Sequence, residues 1–192
     1  FPDNSLGLIM PCDSIEKDRE DALKVAKAIN LETKTIDLTS TFEELMKASF
    51  TSENKMARSN IKPRLRMTTL YYYAQDLGYL VLGPSNASEW YLGYSTKYGD
   101  SGADIMPIAN ILKTDIFEIA KELGLPEFII NKKPSAGLWV GQTDEDEMGF
   151  TYEVLDSYIR GEKVPEKEIK EKIDRMHKNS SHKRVMAPKF EI

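Results

Sequence analysis

Residues 79–104 read YLVLGPSNASEWYLGYSTKYGDSGAD. The first five form a short apolar run of the length expected for a buried β-strand, and it stops at Gly83. The stretch from Gly83 to Asp104 is different. It is rich in glycine, serine and tyrosine, carries Glu89, Lys97, Asp100 and Asp104, and keeps no period of 2 or 3.6 beyond its first residues. Such a segment is either a slack connector or a loop shaped around a ligand. Its place relative to the strand decides which.

Upstream, residues 6–10 (LGLIM) are a second apolar run, ended by Pro11. Asp13 or Ser14 is placed to cap a helix through SIEKDREDALKVAKAIN, with Ala22, Val25, Ala26 and Ile29 on one face. ETKTIDL reads as a strand and TFEELMKAS as a short helix opening at Thr41. SENKMARSNIKPRLR is polar without a sustained pattern and reads as a loop. A helix is predicted from Leu65 through RMTTLYYYAQDLG, with Gly78 as its C′ glycine and at least one ring of Tyr71, Tyr72 and Tyr73 in the core. Downstream, DIMPIANIL is apolar but broken by Pro107. TDIFEIAKELG is a marked helix with Thr114 as cap, Gly124 after its end and Pro126 beyond. TYEVLDSYIRG and PEKEIKEKIDRMHKN give two closing helices.

Strand–helix–strand alternation predicts the α/β class, a doubly wound parallel sheet with helices on both faces, in a single domain over residues 1–192. Ligands of such sheets sit outside the carboxyl ends of the strands, and Gly83 lies at that edge. The stretch that follows is therefore expected to be a binding loop. A parallel α/β domain seldom has so little chain ahead of a buried strand, so the expectation is a domain incomplete at its N-terminus.

Composition narrows the class without naming the chemistry. With 41% hydrophobic and 30% charged residues, 192 residues can build one sizeable core. A formal net charge of -5 argues against a nucleic-acid partner that needs a broad basic face. No apolar run is long enough to span a bilayer, and no basic stretch followed by an apolar one opens the chain. The single cysteine, Cys12, cannot pair internally and reads as a small buried hydrophobe, which makes a cytoplasmic location the expectation.

Several residues could carry a function, each with a plainer reading beside it. Glu89, shortly after a strand, could ligate a hard cation such as Mg²⁺, although residue type alone favours a solvated carboxylate. Lys97 and Asp104 bracket YGDSG, whose turn chemistry lets backbone approach a ligand. KPRLR groups Lys62, Arg64 and Arg66; KKPSAGLWVGQTDEDEMG runs from Ser135 and Trp139 into four acidic residues; SSHKR sets His182, Lys183 and Arg184 in a row. Taken singly, each is more simply a solvated charge cluster. No G-x-x-x-x-G-K-[ST] run occurs, which excludes a Walker loop in this chain. Residue chemistry supports an acidic α/β protein for an anionic, phosphorylated ligand.

Taken in order, NIKPRLRMTTLYYYAQ, GYLVLGPSNASEWYLGYSTKYGDSGADIMPI, ILKTDIFEIAKELGLPEFIINKKPSAGLW, GQTDEDEMGFTYEVLD and HKR resemble the ammonia-dependent NAD⁺ synthetases, over residues 6 to about 188. That family belongs to the N-type ATP pyrophosphatases, of adenine-nucleotide α-hydrolase-like fold. The resemblance implies amidation of nicotinic acid adenine dinucleotide (deamido-NAD⁺) to NAD⁺, with ATP cleaved to AMP and pyrophosphate, ammonia as donor, Mg²⁺ as cofactor, and a homodimer. It assigns Arg64, Lys97, Asp104, His182 and Lys183 to deamido-NAD⁺, Lys113 and Ser135 to ATP, and Glu89 to the metal. It names no catalytic residue.

The sequence departs from the family pattern at two places. The S-G-G-x-D-S loop that grips pyrophosphate and supplies a second metal ligand is absent from residues 1–192. The chain as it stands is therefore expected to turn over little. Pro84 occupies the place of a threonine that contacts ATP, and proline has neither hydroxyl nor N–H. A non-catalytic dinucleotide-binding or dimerisation fragment, or another adenylating enzyme of the same fold group, are the competing readings.

Overall fold

The computed structural model describes residues 4–137, 139 and 141–190. Two short strands, β1 (Gly7–Ile9) and β2 (Thr33–Thr35), pair in parallel with Gly7 opposite Thr33 and Ile9 opposite Thr35. The helix α1 (Glu16–Ala28) is their crossover. After it come α2 (Thr39–Ala48), α3 (Lys55–Ser59), α4 (Ile61–Leu77), α5 (Ala87–Leu92), α6 (Lys113–Glu122) and α7 (Glu127–Ile130). The helices α8 (Asp144–Met148), α9 (Tyr152–Ile159) and α10 (Lys167–Asn179) follow, and a single 3₁₀ turn at Ser181–Lys183 ends the series. The parallel α/β reading holds. Among the described residues the ladder is β1 with β2, plus one parallel bridge between Leu82 and Ile105.

Two elements correct the reading of the sequence. Residues 52–66 are not a loop: α3 is capped by the Asn54 side chain, which accepts from the Ala57 amide at 3.1 Å, and α4 begins at Ile61. Pro63 is tolerated because the first-turn amides have no intrahelical partner to lose. YLVLG is also not buried throughout. Val81 is 4% exposed, whereas Leu80 and Leu82 are 64% and 60% exposed, so only alternate side chains point inward.

The helix caps follow the same logic with different residues. The N-cap of α1 is Ile15, because Ser14 Oγ is committed to the Cys12 amide and Arg66, and the N-cap of α6 is Leu112 rather than Thr114. α2 opens at Thr39, two residues before Thr41, and Ile29 at the end of α1 is 45% exposed. The tyrosine run supplies no core ring: Tyr72 is exposed, and Tyr71 and Tyr73 are half-buried. Gly78 does end α4 in the left-handed region at φ 69°, and Gly124 follows α6 at φ 69°.

Two apolar clusters frame the site. Cys12, fully buried, packs with Leu38 and Phe42 beneath β1 and α4. Leu92, Met148, Phe150, Tyr152, Leu155 and Ile173 join α5, α8, α9 and α10. The second cluster matters more here, because α5 and α8 each carry acidic side chains into a cleft.

Candidate active-site cleft

Glu89 sits in the first turn of α5, where its sequence places it for two duties. The Asn86 side chain accepts from the Glu89 amide at 3.0 Å and Glu89 Oε2 accepts from the Asn86 amide at 3.3 Å, a reciprocal capping box. The other carboxylate oxygen, Oε1, meets Lys113 Nζ at 3.1 Å. Both side chains are mostly withdrawn from water, at 17% and 19% exposed. The pair is therefore a desolvated contact rather than a surface ion pair.

A buried carboxylate locks the two helices that carry this pair. Asp156 of α9, with no exposed surface, accepts from Ser88 Oγ at 2.5 Å through Oδ1, and from the Thr114 amide and hydroxyl, each at 2.9 Å, through Oδ2. Ser88 Oγ also accepts from the Lys113 amide at 2.9 Å. Glu89 and Lys113 each adjoin a residue tied to Asp156. Their separation is fixed by backbone, not by the pair's own attraction.

The cleft has two contiguous compartments. One, of about 680 Å³, is lined by Glu89, Asp100, Asp144, Glu147 and Lys113 among others. A second, of about 800 Å³, runs below β1 past Arg19, Lys132 and Lys133. They meet at Met10, Arg66, Lys113, Ser135, Ala136 and Gln142, which line both. The first compartment is acidic around Lys113; the second is rich in cations.

The acidic wall is the part sequence reasoning missed. Asp144 is 4% exposed, accepts from Tyr152 Oη at 2.9 Å through Oδ2, and leaves Oδ1 buried without a hydrogen-bond partner. Burial pushes its carboxyl above the ordinary range, against the opposing effects of Tyr152 and Lys113. Glu147 accepts from Tyr94 Oη and, at 2.8 Å, from Gln142 Nε2. Burial and that bond to Glu147 hold the Tyr94 phenol strongly in its neutral form. In sequence TDEDE reads as a solvated acidic run. Thr143 at its head, whose hydroxyl accepts from the Asp146 amide at 3.2 Å, is the helix-start signal that betrays α8.

The residues assigned by resemblance fall into three groups. Glu89, Lys113 and Ser135 share the first compartment. Arg64, Lys97 and His182 gather on one rim: Arg64 Nε donates to the Lys97 carbonyl at 3.2 Å, and Lys97 Nζ to the His182 carbonyl at 2.8 Å. Lys183 lines the first compartment, but its ammonium is spent on the Gly93 and Ser95 carbonyls, both at 2.6 Å, and burial lowers its pKa. Beside it Arg184 donates to the Tyr91 carbonyl at 3.0 Å and the His177 carbonyl at 2.5 Å, so the tail clasps the C-terminal end of α5. Asp104 stands apart, accepting from the Val81 amide at 2.8 Å and Tyr71 Oη at 3.1 Å. In this structure it anchors the extended segment that forms the Leu82–Ile105 bridge.

No group of three or more histidine, cysteine, aspartate or glutamate side chains that could hold a metal ion occurs among the described residues. One carboxylate, Glu89, is nevertheless compatible with Mg²⁺, which commonly takes one or two protein carboxylates and completes its shell with water and phosphate.

The sequence model of the NAD synthase family matches residues 1–187. The chain is 58% identical over 192 residues to an NH(3)-dependent NAD(+) synthetase of Finegoldia magna, covering all of this chain and 79% of that protein. A solved NMN synthetase from Francisella tularensis superposes with a TM-score of 0.92 at 42% identity, covering 97% of this chain and 79% of that one. An NH3-dependent NAD synthetase from Campylobacter jejuni, solved with a nitrate ion, gives a TM-score of 0.76 at 30% identity over 97% and 77% of the two chains.

Proposed function

Because this chain belongs to the NAD synthase family, we propose that it catalyses the ATP-dependent amidation of deamido-NAD⁺ to NAD⁺ with ammonia as nitrogen donor. The observation that carries the reading is the pair of contiguous compartments meeting at Lys113 and Ser135. A reaction that joins two nucleotides needs two adjacent anion sites and a shared wall where the reacting atoms meet.

The chemistry follows from the weakness of a carboxylate as an electrophile. The pyridine carboxylate attacks the α-phosphorus of ATP and expels pyrophosphate, giving an acyl adenylate. Ammonia then adds to the acyl carbon, loses a proton, and expels AMP. Lys113 and Ser135 contact the triphosphate, a cation and a hydroxyl suited to phosphate oxygens. Glu89 would hold Mg²⁺, which would supply positive charge to screen the phosphate oxygens. Arg64, Lys97 and His182 receive the dinucleotide on the rim, with Lys183 behind them. Asp104 serves the same substrate by holding the segment at Val81 from which the binding loop starts. Asp144, with one buried oxygen lacking a partner, is suited to an ammonium ion and to the proton it must shed.

The test is formation of NAD⁺ from deamido-NAD⁺, ATP, Mg²⁺ and ammonium by the purified chain and by Glu89→Gln. The variant keeps side-chain size but loses the charge, and a fall of about a hundredfold or more is expected. A variant as active as the parent would remove Glu89 from the reaction. A second reading, amidation of the mononucleotide acid, is favoured by the 0.92 TM-score to the NMN synthetase. Comparing kcat/KM for the mononucleotide and dinucleotide acids under the same conditions decides between them. We place the protein in the cytoplasm as a homodimer. The solution mass tests the homodimer.

A further inference from the structure

Among the described residues, three that are not glycine adopt positive φ: Asp13, Asn30 and Tyr98, the last at 60°. Aspartate and asparagine visit this region readily because their short side chains bond to nearby backbone. A tyrosine does not, and a bulky residue there signals a constraint imposed by its surroundings.

The constraint is legible. The Gly99 amide donates to the Thr96 carbonyl at 2.9 Å, and Ser101 Oγ accepts from the Tyr98 amide at 3.2 Å and donates to the Thr96 carbonyl at 3.0 Å. The Thr96 amide reaches both oxygens of Asp100, at 3.0 and 3.1 Å. A Cβ on Gly99 would lie 3.0 Å from Pro63 of α4, so the loop is pressed onto that helix. All of this fixes the backbone at Tyr98 without using its ring. The ring is 61% exposed, so core packing does not explain why tyrosine stands where glycine would be free of strain.

The surroundings of the ring suggest its use. Lys97 Nζ lies 5.2 Å from the ring centroid and is itself held by the His182 carbonyl, while Arg64 is bonded to the Lys97 carbonyl. An accessible aromatic face beside fixed cations has the chemistry of a nucleotide: the cations take phosphate and the ring takes a heterocycle. We propose that Tyr98 is a specificity-determining residue whose ring stacks on a heteroaromatic ring of the acid nucleotide, with Arg64 and Lys97 on its phosphates. The proposal rests on the substrate reading above and adds a residue to which that reading gave no role.

Glycine at this position separates stacking from folding, since it relieves the backbone and removes only the ring. In Tyr98→Gly the melting temperature should stay level or rise, while KM for the acid nucleotide rises about tenfold or more, the loss of one base–aromatic stack. KM for ATP should not follow. Tyr98→Phe should restore the parent KM, and Tyr98→Leu, bulky but not aromatic, should not. A Tyr98→Gly enzyme with the parent KM, or one whose two KM values rise together as its melting temperature falls, overturns the proposal. Equilibrium dialysis with deamido-NAD⁺ keeps this result apart from the substrate reading. If the parent binds no deamido-NAD⁺, the substrate reading fails; if it binds and Tyr98→Gly binds more weakly, the stack is upheld whatever the turnover. Equal binding in dialysis ends it.

Discussion

Replacing Asp156 by alanine should be the most damaging single change behind the cleft. The carboxylate is wholly buried and accepts three hydrogen bonds, from Ser88 Oγ, the Thr114 amide and the Thr114 hydroxyl. Hydrogen bonds to a charged acceptor contribute about 1.5–3 kcal/mol each, and deleting the acceptor also strands the donors. Part of this is offset, because the variant no longer buries a charge. A net loss of about 3–5 kcal/mol is expected, a large share of the roughly 5–15 kcal/mol that holds a domain folded. For a chain of this length that lowers the melting temperature by about 6–20 °C. Asparagine should recover little, since its NH₂ group turns a donor toward a donor. Urea unfolding measures the stability, and NAD⁺ formation well below the melting temperature measures the site. Activity should fall beyond the folded fraction, because Ser88 and Thr114 set the distance between Glu89 and Lys113. A loss under 1 kcal/mol with normal activity would refute the idea that Asp156 fixes that spacing.

Gly93→Ala should cost about 3 kcal/mol or more, because a Cβ there meets Ser180 Cβ at 2.1 Å at φ 66°. Gly124→Ala, with nothing within 4 Å at φ 69°, should cost about 1 kcal/mol, and equal losses in urea would contradict the packing argument. Lys183→Ala should lower stability by about 2–4 kcal/mol as well as weakening substrate binding, since it frees two carbonyls; thermal melts that match the parent would make Lys183 a ligand only. Asp144 carries a raised folded pKa, so its contribution is most favourable while it is protonated and is lost as pH rises through that value. Asp144→Asn should therefore gain melting temperature over the parent, more at pH 7.5 than at pH 4.5, and a gain that shrinks with pH would reverse the sign.

The sequence was most informative where one residue type has one physical use. Gly78 and Gly124 ended their helices because only glycine takes the left-handed region without strain, and YLVLG marked the edge where the binding loop begins. Residues 52–66 misled because α3 and the first turn of α4 are held by the Asn54 cap and by tertiary contact, not by an apolar period. The assignments to Glu89, Lys113 and Ser135 came from family resemblance, and the fold gathers them. Asp144 escaped notice because burial, which makes a carboxylate chemically useful, leaves no mark on composition, and Glu147 because its place in the cleft is set by the turn of α8. Asp104 shows the converse: a charged residue in a binding motif can spend both oxygens on the protein itself.

With Glu89 as the proposed cation ligand and Lys113 as the proposed polyphosphate ligand, their contact would make the cleft a coincidence detector. Each charge is already answered by the other, so a cation arriving alone must compete with an ammonium, and a polyphosphate arriving alone must compete with a carboxylate. Either ligand, by drawing away its own partner, leaves the opposite charge buried and unmatched. The two arriving together satisfy both at once. Affinity for one should thus grow with occupancy by the other, and linkage requires the enhancement to be equal in both directions.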